Sequence, residues 1–261
     1  MEKKKATKEE EKLNAVDWKN VSSIMDDVAF IGRTFEEYKQ MFCIDVGDLK
    51  TGKTLDVASG HNSFISECLK EGIDVIGCDP MYNKDAEDLC KIGIDDMKKV
   101  HNFIVEANFV LSHEDFDKYC ANVERAREIF KVDYQSHRDR YIHASLPNLP
   151  FGDREFDRVI TSFFLMCYSP KKDGGVMFTN TFDLEFHLKS VDELARVCKH
   201  QIRMYPVQAF SGERENHMYL KPVMDRLENL GFKVELLPSI YSDGSKLTDR
   251  HALVATRERV S

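Results

Sequence analysis

The stretch of sequence that decides the fold is TLDVASGHNS, residues 54–63. An apolar strand over residues 54–57 runs into a turn of small residues, and the spacing of apolar residues after the turn predicts a helix that ends at Gly72. A second apolar strand, over residues 74–78, leads into Asp79. Strand, helix and strand in about 25 residues predict a parallel βαβ unit with a right-handed crossover.

Five further strands are predicted downstream. They cover residues 141–144, 156–162, 201–207, 232–237 and 251–256. The last two are joined by a polar loop that is too short for a helical crossover, so the last strand is expected to run antiparallel. The helix before the fifth strand is expected to begin at Ser190, because Ser190 and Glu193 have the S-x-x-E form of a capping box.

Two helical regions are predicted outside the sheet. Residues 21–48 have apolar residues at a helical spacing that breaks at Gly32, which predicts a lid of short helices, with Thr34 as the N-cap of one of them. Residues 81–140 are charged and helix-rich, and they separate the second and third strands by far more than an ordinary connection. They are therefore interpreted as a helical insertion.

Composition narrows the class of protein. The 261 residues carry a net charge of −8 without an extended basic face, which makes a nucleic-acid partner unlikely. No apolar run approaches the roughly 18 residues that span a bilayer, and seven cysteines without a C-x-x-C pair suit reduced thiols, so a cytoplasmic protein without a membrane segment is expected. No histidine spacing is typical of a metal site. Residues 1–20 are predicted to be a flexible tail and residues 21–261 a single domain.

The order of elements over residues 50–257 resembles the class I S-adenosylmethionine-dependent methyltransferases. Proteins of that family have a seven-stranded sheet whose last strand is antiparallel and forms a hairpin with the sixth. The resemblance implies an α/β fold with a mostly parallel, doubly wound sheet, to which this chain adds N-terminal helices and the insertion after the second strand.

In that family the first strand leads into a loop of the form D-x-G-x-G-x-G, which contacts the methionine and ribose parts of the cofactor. Here Asp56 and Gly60 match the pattern, while Ala58 and Asn62 replace the outer two glycines. Alanine is small and asparagine tolerates the left-handed region, so the turn can still bring backbone N–H groups close to a ligand. The resemblance implies cofactor binding by Asp56, Ala58, Ser59, Gly60 and Asn62.

Two further features strengthen the resemblance. Asp79 ends the second strand, where the family places an acidic residue that accepts hydrogen bonds from both ribose hydroxyls. Residues 149–151 read LPF and residues 156–159 read FDRV, in the order and spacing of the family's adenine-side segment. Ser145 stands where that segment usually has an adenine-contacting aspartate. The ribose and adenine contacts that the resemblance implies are Asp79, Pro80, Ser145 and Leu146.

Other residues are expected at the methionine end of the cofactor and at the acceptor. Arg33 and Tyr38 fall in an N-terminal segment of the kind that closes over the cofactor in related enzymes, and a guanidinium there can pair bidentately with the methionine carboxylate. Phe163 and Tyr168 follow the fourth strand, where the family lines the acceptor pocket. The competing interpretations are an exposed Arg33, core positions for the aromatic residues and a capping role for Asp79.

The resemblance implies an S-adenosylmethionine-dependent methyltransferase that moves a methyl group by in-line displacement. The aromatic residues around 163–186 and the negative net charge favour a small, partly apolar acceptor. The sequence indicates no oligomeric state. A protein or RNA methyltransferase, or a non-catalytic methyltransferase-like binding or regulatory module, remain alternatives. No catalytic base is assigned, since no spacing distinguishes among the candidates His143, Asp183, His187 and His217.

Overall fold

The computed structural model describes residues 27–210 and 215–258, which form one seven-stranded sheet flanked by helices. The strands are β1 (Thr54–Val57), β2 (Val75–Asp79), β3 (Tyr141–His143), β4 (Phe156–Ser162), β5 (Cys198–Tyr205), β6 (Lys233–Pro238) and β7 (His251–Thr256). The α-helices in these ranges are α1 (Phe35–Phe42), α2 (Val46–Leu49), α3 (Phe64–Lys70), α4 (Ala86–Glu106), α5 (His113–Ser136), α6 (Leu184–Val197) and α7 (Leu220–Asn229). The predicted tail, residues 1–20, lies outside the described residues.

The strand order across the sheet is β3-β2-β1-β4-β5-β7-β6. β1 pairs in parallel with both β2 and β4, whereas β7 is antiparallel to both β5 and β6. This is the sheet of the class I methyltransferases, so the predicted fold class is confirmed. The strand order reverses between β1 and β4, and ligands of open α/β sheets bind outside the carboxyl ends of the strands at such a point.

Helices α4 and α5 form the predicted insertion after β2. Asp85 and Ser112 cap them by accepting hydrogen bonds from backbone N–H groups in their first turns. The apolar stripe Val123, Ala126, Phe130 and Tyr134 on α5 is buried. The insertion packs over the turn that follows β1. Gly93 of α4 lies so close to this turn that a Cβ atom on it would be 2.6 Å from the His61 ring.

The N-terminal segment corrects one prediction. Thr34 caps α1 in a capping box with Glu37, as predicted for Thr34, but residues 28–34 form no regular secondary structure and are not helical. Side chains supply the hydrogen bonds that a helix would have supplied: the Tyr168 hydroxyl accepts from Ala29 N at 3.1 Å, and Asp96 Oδ2 accepts from Phe30 N at 2.9 Å. We call residues 28–33 the strap. Residues 21–26 of the predicted lid lie outside the described ranges.

A second prediction is wrong at α6. The helix begins six residues before Ser190, because Asp183 accepts a hydrogen bond from Phe186 N at 3.0 Å and acts as the N-cap. Ser190 is buried inside the helix. Glu193 accepts a hydrogen bond from Leu149 N at 2.7 Å and pairs with Arg196, so it ties the helix to the segment before β4. The S-x-x-E pattern at residues 190–193 therefore lies inside a helix and does not mark its start.

The loop between β6 and β7 is polar, yet much of it is buried.

Among the described residues, no helix combines the length and apolar character needed to cross a bilayer.

Candidate functional site

The turn after β1 lies at the carboxyl edge of the sheet, directly beneath the strap. Ala58 and Gly60 both adopt the left-handed region, with φ of 57° and 59°. A Cβ atom on Gly60 would lie 2.2 Å from the Ile31 carbonyl oxygen, so only glycine fits. Ser59 N donates to the Cys78 carbonyl at 3.1 Å, which holds the turn against β2. The turn thus has the small-residue geometry that the sequence predicts.

Asp56 organises the turn from below. Its Oδ2 accepts hydrogen bonds from the Tyr38 hydroxyl at 2.8 Å, from Ser59 Oγ at 2.6 Å and from Asn62 Nδ2 at 2.8 Å. Tyr38 also stacks on Phe64, with ring centroids 4.3 Å apart. Burial raises the pKa of the Asp56 carboxyl to about 7. Within the described ranges, Asp56, Ser59 and Asn62 line neither of the cavities at this edge, so their predicted contact with a ligand stays a prediction.

Asp79 joins the end of β2 to the turn. Its Oδ2 accepts from Gly60 N at 3.0 Å, and its Oδ1 accepts from Met81 N at 2.9 Å. Burial raises the pKa of this carboxyl to about 6. Each carboxylate oxygen can accept a second hydrogen bond, so Asp79 can still bind a ligand that brings two hydroxyl groups.

Two adjoining cavities open from this carboxylate. The larger has a volume of about 770 Å³ and is lined by the predicted residues Asp79, Pro80, Ser145, Leu146 and Ala58. The smaller, of about 90 Å³, is lined by the predicted residues Arg33, Tyr38, Ala58, Gly60, Asp79, Phe163 and Tyr168. Both cavities share Ala58 and Asp79, and strap residues cover both. The structure therefore brings these predicted residues together from five separate segments of the chain, whereas Asp56, Ser59 and Asn62 lie outside both cavities.

Arg33 forms part of the wall of the smaller cavity. Its guanidinium Cζ lies 4.7 Å from the ring centroid of Tyr119 and 4.5 Å from that of Phe163, in cation–π geometry. Nε donates to the Tyr241 hydroxyl and Nη1 donates to the Gly32 carbonyl, both at 3.1 Å. The side chain is buried, and it forms no ion pair within residues 27–210 and 215–258. A buried, positively charged group of this kind suits an anionic ligand.

Comparison with known proteins places the chain in a family. No protein-family model matches it. An uncharacterised protein of Methanocaldococcus jannaschii is 31% identical over 215 residues, which cover 80% of this chain and 92% of that protein. The chain belongs to the family of this archaeal protein.

Two solved structures that are similar to this chain are methyltransferases. Magnesium protoporphyrin IX methyltransferase of Synechocystis, with bound S-adenosylmethionine, is 14% identical with a TM-score of 0.43, over 81% of this chain and 73% of that one. A TehB-like S-adenosylmethionine-dependent methyltransferase of Corynebacterium glutamicum is 14% identical with a TM-score of 0.41, over 93% and 94%. The fold assignment of this chain rests on the strand order of its sheet.

Sequence reasoning missed several residues of the smaller cavity in this family member. Tyr119 comes from α5, Phe210 follows β5, and Asp243 and Leu247 come from the loop between β6 and β7. These segments lie far from the turn in the sequence and carry no motif. The pattern Ser-Asp-Gly-Ser at 242–245 signals a turn, but nothing in it indicates that the turn faces a ligand site.

The four candidate bases have other roles or positions. Asp183 is a helix cap, and His187 Nε2 accepts a hydrogen bond from Met166 N at 2.9 Å. His217 Nδ1 accepts from Tyr219 N at 3.0 Å, so Nε2 carries the proton and faces Ser169 Oγ at 2.7 Å as a donor. His143 is exposed and lines neither cavity. In the described part of the chain, no cluster of three or more His, Cys, Asp and Glu side chains could hold a metal ion.

The raised pKa of Asp56 gives a test of the site's electrostatics without any ligand. Between the ordinary carboxyl pKa of 3.8 and about 7, the folded protein holds a proton that the unfolded chain has lost, so this group lowers stability as the pH rises through that window. The quantity to compare is the free energy of unfolding of Asp56→Asn minus that of the wild type. We expect this difference to rise by up to about 1.4 kcal/mol per pH unit between pH 4 and pH 7, and to stay constant above pH 7. Urea denaturation at each pH measures the difference; a flat difference would contradict the burial effect.

Proposed function

We propose that the protein is an S-adenosylmethionine-dependent methyltransferase that methylates a small, partly apolar acceptor. One observation carries the proposal: at the topological switch point of a class I methyltransferase sheet, two cavities meet at the Asp79 carboxylate and the Gly60 turn. A molecule that occupies both cavities must pass this carboxylate, as the ribose of the cofactor would.

The residues present fit the cofactor. The larger cavity offers Pro80, Ser145 and Leu146 to an adenine ring, and Asp79 has acceptor capacity for both ribose hydroxyls. Arg33 offers a buried guanidinium to the methionine carboxylate in the smaller cavity. Bound there, S-adenosylmethionine would supply an electrophilic methyl group. The Synechocystis enzyme noted above was crystallised with this cofactor, which supports the proposal.

The chain's own contribution to catalysis is alignment and exclusion of water. Asp56 and Asp79 fix the turn and Arg33 fixes the methionine end, so the position of the methyl group is set by three buried side chains. The strap covers both cavities, and Phe163, Tyr168 and Tyr119 give the smaller one an aromatic wall. This aromatic wall favours an acceptor with an apolar part.

Calorimetric titration with S-adenosylmethionine and S-adenosylhomocysteine tests the cofactor site. We expect saturable binding in the micromolar range. A labelled-methyl transfer assay against separate pools of small molecules, proteins and RNA then tests the activity. Absence of binding to well-folded protein would exclude the enzyme, and labelling confined to protein or RNA would overturn the choice of acceptor.

Arg33→Met tests the methionine end of the site separately. The substitution keeps an apolar chain between Tyr119 and Phe163 but removes the charge, so we expect the dissociation constant for S-adenosylmethionine to rise about 10- to 100-fold. Methylthioadenosine lacks the carboxylate, and its dissociation constant should stay within about twofold of the wild-type value. Calorimetry with the two ligands measures both. Equal losses for both ligands would show that Arg33 acts through the fold and not through the carboxylate.

A further inference from the structure

The loop between β6 and β7 is a fixed part of the smaller cavity. Asp249 Oδ2 accepts hydrogen bonds from Val207 N at 2.6 Å and Gln208 N at 2.8 Å, which fastens the loop to the end of β5. The Gly244 carbonyl accepts from Leu111 N at 2.8 Å, which fastens it to the segment before α5. A polar loop held on two sides presents its side chains at defined positions.

Asp243 is the side chain that this loop presents to the cavity. It is 3% exposed and lines the smaller cavity together with Arg33. Its Oδ1 accepts hydrogen bonds from Ser245 N at 2.9 Å and from the Thr248 hydroxyl. In the described ranges, Oδ2 accepts none. Because Asp243 lines the cavity and its Oδ2 has no donor among the described residues, this oxygen suits a ligand that brings an N–H or O–H group.

Arg33 does not satisfy this oxygen. The two side chains carry opposite charges and line one cavity, yet they form no ion pair among the described residues. The guanidinium is held instead between the Tyr119 and Phe163 rings and by the Tyr241 hydroxyl. The cavity therefore has a cationic pole and a separate anionic pole. Under the proposed function Arg33 binds the donor's carboxylate, which leaves Asp243 for the acceptor.

We propose that the methyl acceptor is a small amine whose nitrogen donates a hydrogen bond to Asp243 Oδ2. This inference rests on the proposed function and names its substrate class. A carboxylate acceptor would be repelled by Asp243, and an alcohol would gain less from the negative charge than an amine does. An amine acquires positive charge as it is methylated, so a carboxylate beside the nitrogen stabilises the transition state more than the ground state.

The transfer step balances with this assignment. The neutral amine's lone pair forms the new N–C bond, and the C–S bond breaks with its electron pair remaining on sulfur, which becomes a neutral thioether. The positive charge passes from sulfur to nitrogen. An amine that arrives as an ammonium loses one proton to solvent before the transfer, and the product leaves as the methylated ammonium.

The test uses matched acceptors that share one apolar part. Isobutylamine, isobutanol and isobutyrate form one set, and benzylamine, benzyl alcohol and benzoate form a larger one. With labelled S-adenosylmethionine, we expect transfer to the amines of at least one set and not to the acids. We expect Asp243→Asn to lower kcat/KM for the amine about 100-fold or more, because the amide keeps an acceptor for Ser245 N but offers N–H groups in place of Oδ2.

Binding provides a readout that does not depend on turnover. The same amine titrated calorimetrically into the complex with S-adenosylhomocysteine should bind saturably to the wild type and not measurably to Asp243→Asn. Asp117→Asn, which changes an exposed carboxylate on α5, is the matched control and should leave both measurements unchanged. Thr248→Val removes the hydroxyl that donates to Oδ1 and accepts from Asp243 N, and it leaves Oδ2 in place, so it should lower stability but keep the preference for amines.

The outcomes separate this inference from the proposed function. Failure of the wild type to bind S-adenosylmethionine would end the proposed function. If the cofactor binds but label enters only alcohols or acids, if no amine binds, or if Asp243→Asn keeps wild-type kcat/KM for amines, the assignment of Asp243 is overturned while the methyltransferase proposal stands.

Discussion

Asp79→Ala is expected to raise the dissociation constant for S-adenosylmethionine at least about 100-fold. Under the proposed function the substitution removes two acceptors for the ribose hydroxyls, and it also releases Gly60 N and Met81 N, which the carboxylate holds at 3.0 and 2.9 Å. The ligand contact and the shape of the turn are lost together. Calorimetric titration measures the effect, and thermal unfolding checks that the variant is folded.

A pH series on the same ligand gives this expectation a second test. Because burial places the pKa of Asp79 at about 6, protonation below that pH removes acceptor capacity, and affinity should fall by up to about tenfold per pH unit as the pH drops below 6. Asp79→Asn should bind weakly at all pH values and flatten the dependence. Asp95→Ala, which changes an exposed carboxylate on α4, is the control. A folded Asp79→Ala protein with wild-type affinity would exclude Asp79 from the site.

Gly32→Ala is expected to have the largest effect on the strap. A Cβ atom at this position would lie 2.1 Å from the His61 carbonyl oxygen and 2.6 Å from Asn62 N, and backbone atoms cannot move aside as a flexible side chain can. We expect a loss of stability of about 2–3 kcal/mol and a weakened cofactor affinity, because the strap must separate from the turn. Urea denaturation and calorimetry measure the two effects.

Substitutions at two other glycines separate the cost of the left-handed conformation from the cost of a close backbone contact. Gly72→Ala places a side chain at φ 71° with nothing within 4 Å, so it should cost only the left-handed conformation, about 1 kcal/mol, and leave binding unchanged. Gly60→Ala combines φ 59° with a contact of 2.2 Å to Ile31, so it should cost more than Gly72→Ala. If Gly32→Ala proved as mild as Gly72→Ala, the close contact between strap and turn would be wrong.

The sequence predicted the fold where local pattern and tertiary structure agree. β1, β4 and β7 have the predicted boundaries because each is an apolar run bounded by turn residues, and the short hairpin loop predicted the antiparallel β7. The prediction for residues 28–34 was wrong because distant side chains, those of Asp96 and Tyr168, take the backbone hydrogen bonds. Helical spacing cannot show such partners.

The same distinction between local pattern and tertiary structure applies to the candidate site. Gly60 and Asp79 were predicted because the turn and the strand end impose a local sequence pattern, and the structure places Asp79 in the walls of both cavities and Gly60 in the wall of the smaller one. Tyr119 and Asp243 were missed because only the tertiary fold brings α5 and the loop after β6 to the turn. Residues that hold a common cofactor leave a pattern, whereas residues that select an acceptor need not.

The buried loop between β6 and β7 has a consequence for how this family can diversify. In most α/β enzymes surface loops vary freely and change substrate choice at little cost to the fold. Here the carboxylate that faces the acceptor sits in a segment whose neighbours, Ser245 and Asp249, are themselves core hydrogen-bonding groups. New acceptor preferences at position 243 would therefore have to arise together with compensating stabilising changes, and directed evolution of this loop should start from a stabilised variant.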